Sequence, residues 1–124
     1  MNASDMTFGV EFEVTLPVAN CPPVGGYHHG LPVAGLPTGW NAQGDSSIQA
    51  DSGYQGIEIV SPVLSGIDGL RQVSLVCEWL RSKGAKVNSS TGFHVHVGCE
   101  KDESLMGRIA CIVANFEKAL FAST

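Results

Sequence analysis

Five side chains that commonly bind divalent cations lie on three segments with the alternation of β-strands. Glu11 and Glu13 are two residues apart, as are His94 and His96, and Glu58 lies between the two pairs in the chain. Residues two apart in a strand leave the same face of a sheet, so each pair projects together. Carboxylate oxygens suit Mg²⁺ or Mn²⁺, and imidazole can complete such a site. If the three strands share one sheet, we expect a metal-dependent active site there.

The mutual repulsion of the carboxylates supports this interpretation of the five residues. Three carboxylates on one face raise one another's pKa or destabilise the sheet, and a bound cation removes that conflict. Each pair taken singly also fits the solvated face of an antiparallel sheet, and that alternative stays open. A structural zinc site would need four Cys or His ligands, and Cys99 near His96 is the only hint of one. Oxygen ligands instead favour Mg²⁺ held together with substrate phosphates, without a P-loop, since no G-x-x-x-x-G-K-[ST] motif occurs.

Three segments are predicted to be the strands that position these residues. Residues 7–16 read TFGVEFEVTL and alternate strictly between apolar and polar side chains. Residues 56–61 read GIEIVS and stop before Pro62, which cannot donate a hydrogen bond to a sheet. Residues 92–97 read GFHVHV and alternate again. A further short strand and turn are predicted within residues 39–48.

Two amphipathic helices are predicted from apolar residues at helical spacing. The first covers about residues 68–83, with Ser65 and Asp68 in a capping box and Gly84 just after its end. Its predicted apolar stripe is Leu70, Val73, Val76, Cys77 and Leu80. The second starts at residue 102 or 104 and runs to 121, with its inward side chains being Leu105, Ile109, Ile112, Val113, Phe116 and Leu120. The order of elements predicts an α+β fold with an antiparallel-rich sheet and helices packed on one face.

A Pro/Gly-rich loop at about residues 17–44 separates the first two predicted strands. It contains five of the six prolines, and residues 14–44 carry no Asp, Glu, Lys or Arg. Long connections of this kind are either functional or surface insertions, and both interpretations stay open. Tyr27, His28 and His29 lie near its middle, and the sequence assigns no role to the two histidines.

Composition narrows the class of protein. A chain of 124 residues with 44% hydrophobic and 15% charged residues predicts a single globular domain over 1–124. The net charge of −5, with seven scattered basic residues, argues against nucleic-acid binding. No apolar run is long enough to span a membrane. Residues 1–7 contain Asp5 and no basic residue, so we expect no signal peptide. The four cysteines form no Cys-x-x-Cys pair, so we expect reduced, mostly buried thiols and a cytoplasmic location.

The motifs in series resemble the amidoligase family, carboxylate–amine ligases with a fold similar to that of glutamine synthetase and glutamate–cysteine ligase. The first matching piece is F-G-V-E-F-E at residues 8–13, and the second is Trp40 with D-S-S-I at 45–48. The remaining pieces are G-I-E-I-V-S-P at 56–62 and G-F-H-V-H-V at 92–97. The order of the pieces is the family's order, which makes the series more specific than any one motif.

The resemblance implies a glutamine synthetase-like catalytic core in which Glu11, Glu13 and Glu58 hold metal ions. It also implies that His94, His96 or both complete the metal site or contact phosphates. The resemblance further implies that Asp45 and Ser61 bind substrate or cofactor. The implied reaction uses ATP and Mg²⁺ or Mn²⁺ to join a small carboxylate to an amine, such as an amino acid or peptide, through an acyl phosphate.

The chain departs from the family pattern in length. Such ligases are usually longer, with phosphate-binding arginines after the second helix, so we expect this chain to be the N-terminal part of the catalytic domain. Two alternatives follow. One is a non-catalytic or truncated homologue that binds only nucleotide or metal, and the other is a small cupin-like metal-binding module. The sequence identifies neither substrate nor oligomeric state.

Overall fold

The computed structural model describes residues 6–26 and 29–98. In that part of the chain a central strand is followed by a short 3₁₀ turn, four further strands, one helix and a last strand. The elements are β1 (Thr7–Pro17), the 3₁₀ turn (Val18–Asn20), β2 (Leu31–Pro32), β3 (Asn41–Gln43), β4 (Tyr54–Val60), β5 (Leu64–Ser65), α1 (Gly66–Ser82) and β6 (Phe93–Gly98).

The described strands form one six-stranded sheet in which every strand pairing is antiparallel. β1 is central: β4 and then β5 pair along one of its edges, and β6 pairs along the other. β3 pairs with β4, and β2 pairs with β3. With α1 packed against this sheet, the predicted α+β class and antiparallel sheet are confirmed. The three longest strands lie within one residue or two of their predicted positions, whereas β5 was not predicted.

The core lies between α1 and the apolar face of the sheet. β1 and β4 alternate as predicted, and the buried side chains of the two strands and the helix form one cluster with Trp40: Val10, Val14, Leu16, Ile57, Ile59, Val76 and Leu80. The Trp40 indole is almost fully buried and donates a hydrogen bond from Nε1 to Gln72 Oε1 in α1, at 2.9 Å. Its ring centroid lies 6.5 Å from that of Phe12. Trp40, which belongs to the motif series, is therefore a core residue that joins β3 to α1.

The predicted ends of α1 are only half correct. The helix begins after Ser65, which is the N-cap but makes no side-chain capping hydrogen bond. Asp68 instead accepts a hydrogen bond from the Gln72 side chain at 3.0 Å, so the predicted capping box is wrong. At the other end Gly84 has a φ of 80°, the left-handed conformation that glycine adopts readily after a helix, as predicted.

The buried face of α1 differs from the predicted stripe. Gly69, Val76 and Leu80 are buried, whereas Leu70 and Cys77 are exposed. Gly69 helps to set which side of α1 faces the sheet. It lies so close to β5 and β1 that an added Cβ would be 2.9 Å from the Cβ of Leu64. The expectation of a buried Cys77 is wrong for that reason, and Cys99 and Cys111 lie outside the described residues.

The described part of the Pro/Gly-rich loop packs onto the sheet. It supplies β2 and β3, and Gly25 forms a parallel bridge with Gln43. Val33 is buried in the same core as Trp40. His29 is exposed, while Tyr27 and His28, like the predicted second helix, lie outside the described residues.

Nowhere in residues 6–26 and 29–98 is there a helix with the length and hydrophobicity needed to cross a bilayer.

We predict that Gly56→Ala destabilises the fold. Gly56 lies in β4, and an added Cβ would be 2.6 Å from Ile48 Cγ2 and 2.7 Å from Ile48 Cβ. Ile48 is buried and branched at Cβ, so it cannot move aside freely, and overpacking of this kind costs about 1–3 kcal/mol. Urea unfolding measures the loss.

Gly9→Ala is the matched control for Gly56→Ala. Gly9 is also a strand glycine, but an added Cβ would be 3.6 Å from Ser61 Oγ, an ordinary contact. We expect its midpoint to stay near that of the unmodified chain. Equal stability of the two variants would contradict the assigned packing of Ile48 on Gly56.

Candidate active site

The sheet brings the five predicted metal-binding residues to one face, opposite α1. Glu11 is the cross-strand partner of His94, and Glu13 is the partner of Glu58. Directly opposed residues in an antiparallel pair project to the same side, and so do residues two apart in one strand. His96, two residues after His94, therefore joins them. We call this polar face of β1, β4 and β6 the acidic face.

Each histidine contacts a glutamate on the neighbouring strand. His96 Nε2 lies 3.1 Å from Glu11 Oε2, and His94 Nε2 contacts Glu13 Oε1. The imidazoles are the more exposed partners and the carboxylates the more buried ones. The two contacts join β6 to β1 through side chains as well as through backbone hydrogen bonds.

The histidine–glutamate contacts run diagonally across the β1–β6 pairing, and Gly92 leaves room for one of them. Each histidine reaches the glutamate two residues along β1 from its opposed position, since Glu11 is opposite His94 and Gly9 is opposite His96. The Glu13 amide donates to the carbonyl of Gly92, so Gly92 lies beside Glu13. A Cβ at Gly92 would be 3.2 Å from His94 Nε2. A larger residue there would push the His94 ring away from Glu13.

Asp45 lies in a turn near the acidic face. Its Oδ1 accepts hydrogen bonds from the Ser47 hydroxyl at 2.6 Å and the Ser47 amide at 2.9 Å. These two hydrogen bonds lower the pKa of Asp45, and the nearby His94 lowers it slightly further. The charge of Asp45 in turn helps to raise the pKa of Glu58. Asp45 is thus electrostatically coupled to Glu58 and His94.

The pKa of Glu58 is raised above that of an ordinary glutamate. Partial burial is the main reason that its pKa is raised, followed by the negative charges of Glu11, Asp45 and Glu13, while His94 acts in the opposite direction. The opposing effect of His94 is too small to offset the others, so the pKa stays raised. The acidic face carries surplus negative charge that a cation would neutralise.

Ser61 forms hydrogen bonds within the fold. Its hydroxyl accepts from the Val10 amide at 2.9 Å and donates to the Pro62 carbonyl at 2.7 Å. The Ser61 amide also donates to the Val10 carbonyl at 3.0 Å. The hydroxyl thus closes the junction where β4 ends beside β1. A cavity of about 300 Å³ opens there, and Ser61 lines it together with Gly9 and His96; a role for Ser61 in cofactor binding stays a prediction.

A loop-to-loop connection beside the site was missed by sequence reasoning. The Asn88 side-chain amide donates to the Gln49 carbonyl at 2.7 Å, and the Gln49 amide donates to Ser90 Oγ at 2.8 Å. The Ser90 amide donates to Asn88 Oδ1 at 2.8 Å. These bonds join the loop that follows Asp45 to the loop that precedes β6. The Asn/Ser/Thr-rich run at 88–91 indicated a turn, but nothing in it indicated its partner.

The carboxylates and imidazoles of the acidic face are groups that bind divalent cations. In this structure, however, each imidazole contacts a glutamate. In residues 6–26 and 29–98, no three His, Cys, Asp or Glu side chains are arranged as a metal-binding group. Both imidazole Nε2 atoms contact glutamate oxygens instead. A cation bound by those atoms would replace the histidine–glutamate contacts, so the metal site stays a prediction.

We predict that Glu58→Gln makes stability less dependent on pH in buffer free of divalent cations. The pKa of Glu58 is raised in the folded chain, so the folded state binds the proton more tightly than the unfolded state. Stability is then lost as the pH rises from the ordinary glutamate pKa through the raised one, and glutamine removes that loss. Urea unfolding between pH 4 and about pH 8 measures it.

Glu78→Gln on the exposed surface of α1 is the control for the pH series. It should follow the unmodified chain throughout. If Glu58→Gln also follows the unmodified chain, Glu58 does not bear the repulsion described above.

Comparison with known proteins finds a family whose sequence pattern this chain matches. Residues 28–123, more than half of the chain, match the family described as "Putative amidoligase enzyme". No curated protein and no solved structure matches the chain. The matched range includes Asp45, Glu58, His94 and His96, and it begins after β1, so Glu11 and Glu13 join the site through the sheet register. The chain belongs to the amidoligase family.

Proposed function

We propose that the protein is an ATP-dependent carboxylate–amine ligase, or part of one, and that the acidic face is its active site. The observation that carries this proposal is the convergence of three glutamates and two histidines from β1, β4 and β6 on one face. Membership of the amidoligase family supplies the reaction class. The acidic face supplies the ligand chemistry that ATP-dependent ligation needs.

Mg²⁺ or Mn²⁺ is the proposed cofactor, held by Glu11, Glu13 and Glu58. The surplus negative charge around Glu58 supports this choice, because hard divalent cations bind carboxylate oxygens. His94 and His96 would complete the site or contact phosphate oxygens. When bound, the cations neutralise charge on the phosphoryl group as it is transferred.

The proposed reaction joins a small carboxylate to an amine. A carboxylate oxygen of the substrate attacks the γ-phosphorus of ATP, which releases ADP and gives an acyl phosphate. The amine nitrogen then attacks the acyl carbon, the bond from that carbon to the phosphate oxygen breaks, and the amine loses a proton. In this proposal Asp45, whose charge acts on Glu58, orients a substrate amine or hydroxyl. Ser61 and His96 line the cavity where β4 ends beside β1.

The fold bears on one of the alternatives. Cupins are jelly rolls of two packed sheets, whereas the described residues form one sheet covered by α1. This architecture does not favour a cupin-like module. The other alternative, a homologue that binds nucleotide without turnover, is distinguished from an active ligase by assays of ATP turnover and nucleotide binding.

We predict that Glu11→Gln and Glu58→Gln each lower ATP turnover by at least about 100-fold, since each removes a charged ligand from the site. The assay follows phosphate release by the full-length protein with Mg²⁺ or Mn²⁺ and mixtures of amino acids as carboxylate and amine. Glu78→Gln on α1 is the control and should retain full turnover. Unchanged turnover in both site variants would end the ligase assignment to this face.

Calorimetry with a non-hydrolysable ATP analogue completes the turnover test. If the chain binds the analogue and yet turns over no ATP with any tested pair of amine and carboxylate, that result would indicate the non-catalytic homologue.

We also predict that Mg²⁺ or Mn²⁺ raises the midpoint of thermal unfolding. A cation that binds only the folded chain at 100 times its dissociation constant stabilises by about 2.7 kcal/mol. Glu13→Gln should remove most of this stabilisation, because it takes one carboxylate from the proposed ligand set, and Glu78→Gln should retain it. A midpoint that does not respond to either cation would contradict the metal assignment.

A further inference from the structure

A small cavity extends the acidic face near the start of β1. Its volume is about 300 Å³, and its walls are formed by residues 61–63, which join β4 to β5, and by residues 96–98 at the end of β6. Gly9 of β1 lies between these walls, opposite His96 in the strand register. Because Gly9 comes two residues before Glu11, it belongs to the same face of the sheet as the proposed metal ligands. We call this space the Gly9 cavity.

The lining of the Gly9 cavity is mostly apolar. Pro62 and Val63 contribute to one wall and Val97 to the other, and the described residues that line it include no Lys or Arg. The Ser61 hydroxyl is already engaged, since it accepts from the Val10 amide and donates to the Pro62 carbonyl. A phosphate or carboxylate group would therefore find no permanent cation in this part of the lining, whereas an uncharged apolar group fits it.

The size and position of the Gly9 cavity match those of a side-chain pocket. Small-molecule sites are concave and mostly apolar, with a few polar groups that fix orientation, and their volumes start at about 300 Å³. The cavity has this composition, with His96 at the side that adjoins the acidic face. Val63 is a large aliphatic residue that is 79% exposed at the cavity. A small apolar group of a ligand would cover it.

Neither the backbone nor the packing of the fold requires glycine at position 9. Gly9 is not among the described glycines with a positive φ. An added Cβ would be 3.6 Å from Ser61 Oγ, and outside its chain neighbours it would have no other described atom within 4 Å. Cross-strand partners have Cβ atoms about 4.5–5.5 Å apart, so a side chain at this position would stand beside His96 and occupy the cavity. Glycine therefore keeps the cavity open.

We propose that the Gly9 cavity binds a small apolar side chain of a substrate, and that Gly9 sets the largest side chain that is accepted. This inference rests on the proposed function, because it places part of a ligase substrate beside the acidic face. The reacting end of that substrate lies toward Glu11 and His96, and its side chain lies over Gly9. The amine substrate and the carboxylate substrate are the two sources of such a side chain, and the experiment separates them.

Calorimetry on the full-length protein with Mg²⁺ and a non-hydrolysable ATP analogue tests the proposal. The probes are glycine, alanine, valine and leucine, and we expect the affinity to rise by about twofold to fourfold with each added carbon. Displacement of leucine by 3-methylbutylamine, which lacks the carboxylate, would assign the side chain to the amine substrate. Displacement by 4-methylpentanoate, which lacks the amine, would assign it to the carboxylate substrate. Affinities that stay constant from glycine to leucine would overturn the proposal.

Two variants change the cavity from opposite sides. Gly9→Val fills it, so leucine should bind at least about tenfold more weakly, while glycine, which has no side chain, should change by less than about threefold. Val63→Ala covers the case in which Gly9→Val fails to fold, because Val63 is so exposed that its truncation leaves the core intact. It should weaken leucine binding by about twofold to fourfold. Val87→Ala is the matched control, since Val87 is 76% exposed and does not line the cavity, and it should bind leucine normally.

The outcomes separate this inference from the proposed function. Graded binding of the four amino acids without any ATP turnover would support the cavity assignment and contradict the ligase. Turnover with the same KM for alanine and leucine, in the unmodified chain and in Gly9→Val, would support the ligase and overturn the cavity assignment. If Gly9→Val weakens the ATP analogue and leaves leucine unchanged, the cavity holds the nucleotide base and the proposal is overturned.

Discussion

The register of β1 between β4 and β6 is the constraint on which the whole site depends. It sets Glu13 opposite Glu58 and Glu11 opposite His94, while the alternate residues of β1 enter the core. A shift of either pairing by one residue would send the site residues of that strand into the apolar layer. The buried positions therefore hold the register, because Val10, Val14 and Leu16 have only one face on which they can pack. Repulsion among carboxylates is tolerated since hydrophobic burial on the other face opposes any rearrangement.

Alternating segments were the part of this fold that sequence reasoning could predict. β1 and β4 have one buried and one polar face, so their period of two is visible in the letters and gives the direction of Glu11, Glu13 and Glu58. The end of α1 at Gly84 was equally predictable, because few residues other than glycine adopt a positive φ readily. β5 has two residues, Leu64 and Ser65, which is too short for any pattern to appear.

The remaining errors and omissions arise from tertiary contacts that local sequence does not encode. The buried face of α1 was misjudged because Gly69 allows close approach to Leu64, a contact between separate elements. The bonds between Gln49 and the Asn88–Ser90 turn join residues about 40 positions apart in the chain. Residue types alone gave the chemistry of the candidate site. The pairing of each imidazole with a glutamate depends instead on the β1–β6 register and, for His94, on the room that Gly92 leaves.

β6 occupies a particular position in this architecture, since in the described residues it is hydrogen-bonded to the sheet only through β1. Local opening of that single ladder would carry both imidazoles away from their carboxylates in one step, while the β1–β4 ladder and its core stayed closed. The two histidines would therefore leave the site together, since both lie on β6. Glu11, Glu13 and Glu58 would stay in place, because the β1–β4 pairing holds all three.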